Sequence, residues 1–132
     1  MSLGLDTSVV VRLLVGEPEP QYRATRERLQ RAHAEAETVV VTDLVVVESY
    51  FALRHHYDVP DAEVRRKLRQ FLESGVVVAR PRGMAALLEP GAPPGLADRL
   101  IHHRHAELGA LTLTFDQAQA RIAGTEMIAS GS

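Results

Sequence analysis

The stretch Leu5-Asp6-Thr7-Ser8 decides the fold, because an acid stands here between an apolar strand and an apolar helix. Leu3 to Leu5 is predicted to form a short strand, and the apolar segment from Val9 to Leu14 has no turn residue before Gly16. A carboxylate at such a junction loses hydration, which is costly unless a cation meets it. Three more acids stand in comparable settings, and the sequence therefore raises the question of whether four acids converge on a metal ion.

The composition is that of a soluble globular protein. The chain has 132 residues, 45% of them hydrophobic and 24% charged, which predicts one domain over residues 1–132 with a real core. The absence of cysteine excludes disulfides and thiolate metal sites. No apolar run approaches the roughly 20 residues that span a bilayer, and the start lacks the pattern of a signal peptide. We therefore expect a cytoplasmic protein with no membrane partner.

The charge excludes one class of nucleic-acid binder. The net charge is −2, so the chain does not coat nucleic acid by charge alone. Lys67 is the only lysine beside fourteen arginines, and the guanidinium fork suits phosphate oxygens. The arginine bias is equally consistent with the codon composition of the source genome.

Apolar strands alternate with helices along the chain, which is typical of a parallel sheet covered on both faces. The strands are predicted over residues 3–5, 38–42, 76–79, 110–114 and 125–129, and the helices over residues 9–14, 21–36, 44–57, 61–74, 84–89, 96–108 and 117–123. The fold class is therefore α/β, a three-layer α/β/α domain with a mostly parallel sheet. Asp6 and Asp116 each follow a strand, at the carboxyl edge where active groups gather in such sheets.

Glu48 is the most informative acid, because its helical neighbours are apolar. The residues at i−4, i−3, i+3 and i+4 share its face of the helix, and they are Leu44, Val45, Phe51 and Ala52. The spacing therefore predicts that Glu48 lies within the apolar stripe of its helix. The structural alternative is a buried salt bridge to Arg54 or Arg12.

The other three acids each have a simple alternative explanation. Asp6 and Asp116 stand at strand-to-helix turns, where capping explains them, and Asp98 begins a helix, where capping or the helix dipole explains it. As a set, four carboxylates in one cleft would repel one another without a cation. Mg²⁺ or Mn²⁺ suits such oxygen donors, activates a bound water and clamps a phosphodiester, whereas zinc fits this sequence less well.

These residues together resemble the PIN domain, and within it the VapC-type toxins of toxin–antitoxin pairs. The resemblance rests on Leu5-Asp6-Thr7-Ser8, on Glu48 after the second strand, and on two later segments, Leu96-Ala97-Asp98-Arg99-Leu100-Ile101 and Gly109-Ala110-Leu111-Thr112-Leu113-Thr114-Phe115-Asp116. It covers essentially the whole chain in length, element order and acid spacing. It departs at His102-His103-Arg104-His105, where family members are commonly small and apolar.

The resemblance implies a Mg²⁺- or Mn²⁺-dependent ribonuclease, usually a homodimer, that acts on RNA and is held inactive by a cognate antitoxin. The resemblance implies that four acidic positions of the family carry catalysis and bind the metal. In this chain they correspond to Asp6, Glu48, Asp98 and Asp116. The family's polar positions beside the acids, which orient carboxylates or waters, fall on Thr7, Ser8 and Thr114.

Three basic side chains are candidates for contact with the substrate, namely Arg12, Arg82 and His102. Arg12 and Arg82 lie near strand ends, and His102 lies roughly on the face of Asp98. His102 and His105 could contact RNA or transfer protons, and a solvated helix surface is the alternative. The run Arg65-Arg66-Lys67 could bind phosphates, and an ordinary charged helix face is the alternative.

The leading hypothesis is an endoribonuclease toxin. The alternative is a PIN-like module without catalysis that only binds RNA or a protein partner. Cleavage of DNA also stays open, because the metal chemistry is the same for either sugar.

Overall fold

The computed structural model describes residues 2–91 and 93–129, and within them five α-helices alternate with five β-strands. The strands are β1 (Ser2–Gly4), β2 (Thr38–Thr42), β3 (Val78–Arg80), β4 (Thr112–Thr114) and β5 (Thr125–Met127). The helices are α1 (Thr7–Val15), α2 (Glu19–Ala34), α3 (Asp43–His55), α4 (Asp61–Leu72) and α5 (Leu96–Glu107). Two short 3₁₀ helices cover Met84–Leu88 and Gln119–Arg121.

The chain divides into two compact units, and the first of them, Met1–Glu89, contains a three-stranded parallel sheet in the order β1-β2-β3. Leu3 pairs with Val39, and Val41 pairs with Ala79. The central strand β2 is a run of β-branched residues whose Val39 and Val41 are almost completely buried. Such runs suit a strand that is covered by helices.

The helices of the first unit cover this sheet with stripes of regular spacing. In α3 the buried residues Val46, Ser49 and Leu53 follow one another at helical intervals, and Val64 and Leu68 do the same in α4. The face of α3 that carries Glu48 is not part of this buried stripe.

The interpretation of Arg65 as part of an ordinary charged helix face is wrong. It is buried, and its Nε donates to both carboxylate oxygens of Asp61 at 3.0 and 3.1 Å. The hydroxyl of Tyr50 donates to the same carboxylate. Arg65 therefore joins α3 to α4 rather than facing a phosphate.

The second unit, Pro90–Ser132, places α5 against a pair of parallel strands, β4 and β5. Leu96 and Leu100 form the buried face of α5. The buried hydroxyl of Thr112 in β4 lies 3.1 Å from Nδ1 of His102 and 2.9 Å from Nδ1 of His105. The interpretation of these histidines as a solvated surface is therefore wrong, because they hold α5 on its strand.

The α/β class with parallel strand pairing is confirmed, although the strands fall into two sheets, one in each unit. The predicted helices over 84–89 and 117–123 shorten to 3₁₀ turns, since short segments lack the hydrogen bonds that nucleate an α-helix. The assignment of residues 1–132 to a single domain stays a prediction. No helix among the described residues is long and apolar enough to cross a membrane.

Candidate active site

Asp6 lies two residues beyond the end of β1 and is the N-cap of α1. Its Oδ2 accepts hydrogen bonds from the hydroxyl of Ser8 at 2.8 Å and from the backbone N–H of Ser8 at 3.3 Å. These two bonds lower the pKa of the exposed Asp6 carboxyl, the hydroxyl of Ser8 being the larger cause. The capping explanation is correct, and it also holds Asp6 as a carboxylate at the carboxyl edge of the sheet.

Glu48 is held beside this element by Thr7. The hydroxyl of Thr7 donates to Oε1 of Glu48 at 2.9 Å, across 41 residues of sequence. Because Thr7 directly follows Asp6, this bond brings the segment of α3 that carries Glu48 to the segment that carries Asp6. In the first unit Ser8 therefore contacts Asp6 and Thr7 contacts Glu48, while a shared site for the two acids stays a prediction.

The predicted burial of Glu48 is wrong, since its side chain is exposed. Its neighbours Leu44 and Phe51 are 65% and 44% exposed, and they form an outward apolar face rather than the core face. The salt-bridge alternative fails as well. Arg54 donates to the carbonyl of Val59, and Arg12 donates to the side chain of Gln21.

In the second unit, Asp116 stands between β4 and the 3₁₀ turn that follows. Its Oδ1 accepts from the backbone N–H groups of Ala118 at 2.7 Å and Gln119 at 3.0 Å, so the capping explanation is correct here too. Its own N–H donates to the hydroxyl of Thr114 at 2.9 Å. Thr114 thus holds the backbone of Asp116, and the carboxylate is exposed.

Asp98 lies in the first turn of α5 and is half-buried. Its backbone carbonyl accepts a hydrogen bond from Nε2 of Gln119 at 3.3 Å. Sequence reasoning missed Gln119, whose side chain is buried in the same unit. Its spacing from Asp116 matches a capping box, which is the signal that could have found it.

The structure thus places Asp6 and Glu48 in the first unit and Asp98 and Asp116 in the second. Among residues 2–91 and 93–129, no group of three or more histidines or acids has the geometry to hold a metal ion. Each pair nevertheless offers hard carboxylate oxygens, and Mg²⁺ usually binds through one or two carboxylates and keeps several waters. The chemistry of the donors fits Mg²⁺ or Mn²⁺, and the four-carboxylate site stays a prediction.

The candidate substrate contacts lie in different places. Arg12 reaches back along α1 toward Asp6, where its NH1 lies 3.5 Å from the carbonyl of Ser8. Arg82 is exposed two residues beyond β3, at the same edge of the first sheet that Asp6 follows. His102 is half-buried against Thr112 and Thr125. A role for these three residues in binding substrate stays a prediction.

A family model described as the PIN domain matches residues 4–125. Comparison with curated proteins and with solved structures gives no match. PIN domains are generally nucleases, and they generally use divalent metal ions. A match over this much of the sequence, together with the acids at the strand ends, shows that the chain belongs to the PIN domain family.

Proposed function

We propose that this chain is an endoribonuclease toxin that hydrolyses RNA phosphodiester bonds with Mg²⁺ or Mn²⁺ and is neutralised by a cognate antitoxin in the cytoplasm. Its metal ligands are Asp6 and Glu48 in the first unit and Asp98 and Asp116 in the second. The observation that carries the proposal is the hydrogen bond from Thr7 to Glu48, which brings the segment of Glu48 to the segment that carries Asp6.

The exposure of these acids supports a polymeric substrate. Asp6 and Glu48 lie on the surface, where an RNA backbone can approach without entering an enclosed pocket. The divalent ion, when bound, neutralises phosphate charge and lowers the pKa of a bound water. The chain itself supplies two carboxyl groups in fixed positions, since Ser8 restrains Asp6 and Thr7 restrains Glu48.

A groove in the first unit supports an antitoxin as partner. It has a volume of about 610 Å³ and lies between α1, α2 and the end of α4. Leu13, Leu29 and Phe71 contribute its apolar lining, Arg26 contributes a positive charge, and His33 contributes an imidazole. An amphipathic helix with acidic flanks would fit such a groove. RNA as substrate and a homodimeric state follow from the resemblance to VapC-type toxins.

The test is cleavage of single-stranded and structured RNA, with DNA of the same sequence as a second substrate. Each reaction contains Mg²⁺, Mn²⁺ or EDTA. Asp6→Asn and Glu48→Gln remove one ligand charge each without changing side-chain size, and we expect either to abolish cleavage. Glu27→Gln on α2 is the matched control, because Glu27 is equally exposed and remote from both acids in sequence.

The binding module is the second candidate, and one observation favours it. The described residues contain no group of three acids or histidines arranged for a metal. A metal-binding protein gains about 2.7 kcal/mol of stability at 100 times the dissociation constant of the ion. No cleavage of any substrate together with no rise in Tm on adding Mn²⁺ would establish the binding module and refute the nuclease.

A further inference from the structure

The side chain of Gln119 is buried in the second unit, and both ends of its amide are used. Its Nε2 donates to the backbone carbonyl of Asp98 at 3.3 Å, in the first turn of α5. Its Oε1 accepts from the hydroxyl of Thr114 at 3.0 Å, at the end of β4. One side chain therefore ties the turn that carries Asp98 to the strand end that precedes Asp116.

The direction of these hydrogen bonds follows from the chemistry of the partners. The Asp98 carbonyl only accepts, so the NH₂ group of Gln119 must face it. The amide oxygen then faces Thr114, whose hydroxyl proton it accepts. A lone pair of the Thr114 oxygen is left to accept the backbone N–H of Asp116 at 2.9 Å. A rotated amide would set two oxygens against each other at Asp98.

Gln119 also contacts Asp116 through its own backbone, because its N–H donates to Oδ1 of Asp116 at 3.0 Å. In an ordinary capping box the side chain at this position returns to the N-cap backbone. Here it points to Asp98 and Thr114 instead. The residue thus acts on Asp116 in two ways and on Asp98 in one.

We propose that Gln119 is a positioning residue that sets where Asp98 lies relative to Asp116, and thereby sets the affinity of the second unit's acid pair for a divalent cation. The proposal rests on the proposed function, in which both acids bind the metal. A buried amide used at both ends is rigid, and groups that orient metal ligands typically change metal affinity 10- to 100-fold when they are removed.

The experiment measures the dissociation constant of Mn²⁺ for the full chain without nucleic acid, from the electron paramagnetic resonance of the free ion. Gln119→Met keeps the side-chain volume and removes both amide hydrogen bonds. We expect it to weaken Mn²⁺ binding by about 10- to 100-fold. Gln117→Met is the matched control, since Gln117 is exposed two residues earlier, and it should bind Mn²⁺ as the wild type does.

Thr114→Val tests the same link from its other end and serves if Gln119→Met does not fold. We expect Thr114→Val to weaken Mn²⁺ binding too. The double variant should bind Mn²⁺ no more weakly than the single variant with the lower affinity, because both changes break the same connection. A Gln119→Met protein that loses thermal stability but whose dissociation constant for Mn²⁺ is within twofold of the wild type would overturn the role of Gln119 and leave the proposed function standing. A wild-type chain that binds no Mn²⁺ would overturn the proposed function as well.

Discussion

The contact between α3 and α4 supports a quantitative prediction for Asp61→Ala. Arg65 lies beneath the contact with a side chain that is only 8% exposed, whereas the side chain of Asp61 is 42% exposed. Tyr50 completes the group, since its hydroxyl donates to Asp61 and its ring lies 5.6 Å from the Arg65 guanidinium. Removing the carboxylate therefore leaves a buried cation with the carbonyl of Glu89, 3.4 Å away, as a weak acceptor.

The expected cost follows from this difference in exposure. Removing one partner of a fully buried ion pair costs about 3–5 kcal/mol, whereas an exposed pair contributes at most about 1 kcal/mol. Because water reaches Asp61 but not Arg65, we expect Asp61→Ala to lower the free energy of unfolding by about 2–3 kcal/mol. In a chain of this length that corresponds to a fall in Tm of about 10 °C.

Urea and thermal unfolding followed by circular dichroism measure this change. Glu19→Ala is the matched control, because Glu19 and Arg23 have the same spacing in α2 but are 72% and 68% exposed. We expect that control to change stability by less than about 0.5 kcal/mol. Adding Arg65→Leu to Asp61→Ala should recover part of the loss, since it removes the unpaired cation. Equal effects of Asp61→Ala and Glu19→Ala would refute the reasoning.

The same contact gives stability a defined pH dependence. The hydrogen bond from Tyr50 and then the Arg65 cation lower the pKa of Asp61, while burial and then Asp61 raise the pKa of Tyr50. Stabilisation from Asp61 is present above its unfolded pKa, about 3.9, and is lost as pH falls through its lowered folded pKa. Stabilisation from Tyr50 is present below its unfolded pKa, about 10, and is lost as pH rises through its raised folded pKa. The difference between the wild type and Asp61→Ala should therefore be constant near neutral pH and shrink at both extremes.

Three further changes have expected outcomes. Ser8→Ala removes the main cause of the lowered pKa of Asp6, so the acid limb of the pH–cleavage profile should move to higher pH. Thr7→Val frees Glu48 and should reduce cleavage by about 10- to 100-fold with little change in Tm, because the bond it breaks is exposed. Ser49→Ala should raise stability by about 1 kcal/mol, measured by urea unfolding, since the buried hydroxyl of Ser49 has no hydrogen-bond partner among the described residues.

Each of these changes has its own control and its own contradicting result. An unmoved acid limb in Ser8→Ala would show that Asp6 does not set the lower pH limit. Thr7→Ser retains a hydroxyl, and it should keep more activity than Thr7→Val if the hydrogen bond is what matters. A loss of stability in Ser49→Ala would mean that the hydroxyl is satisfied in solution.

The acids at the strand ends could be predicted from sequence because their signals are local. An apolar strand followed by an acid and a helix places that acid at the carboxyl edge of a parallel sheet, and Asp6 and Asp116 lie at such edges. The polar neighbours Ser8 and Thr114 contact the nearby acid or its backbone for the same reason. Their capping bonds span only two or three residues of the chain.

Burial could not be predicted in this way. Helical spacing correctly groups Glu48 with Leu44 and Phe51, but it does not say which face of α3 meets the sheet. That choice depends on the packing of α3 against α1 and α4, and it buries Val46 and Leu53 instead. Arg65 shows the converse, because a cation within a charged run is buried by its contacts with Asp61 and Tyr50.

The sequence by itself determined the α/β class and the membership of the PIN domain family, because both depend on residue type and on spacing along the chain. Only the tertiary structure decided that Thr7 holds Glu48 and that Gln119 joins Asp98 to Thr114. The bonds to Glu48 and to Asp98 connect residues 41 and 21 positions apart, and their geometry depends on the packing of whole helices and strands. Local pattern predicts where a side chain can cap a helix, whereas packing decides which distant group it contacts.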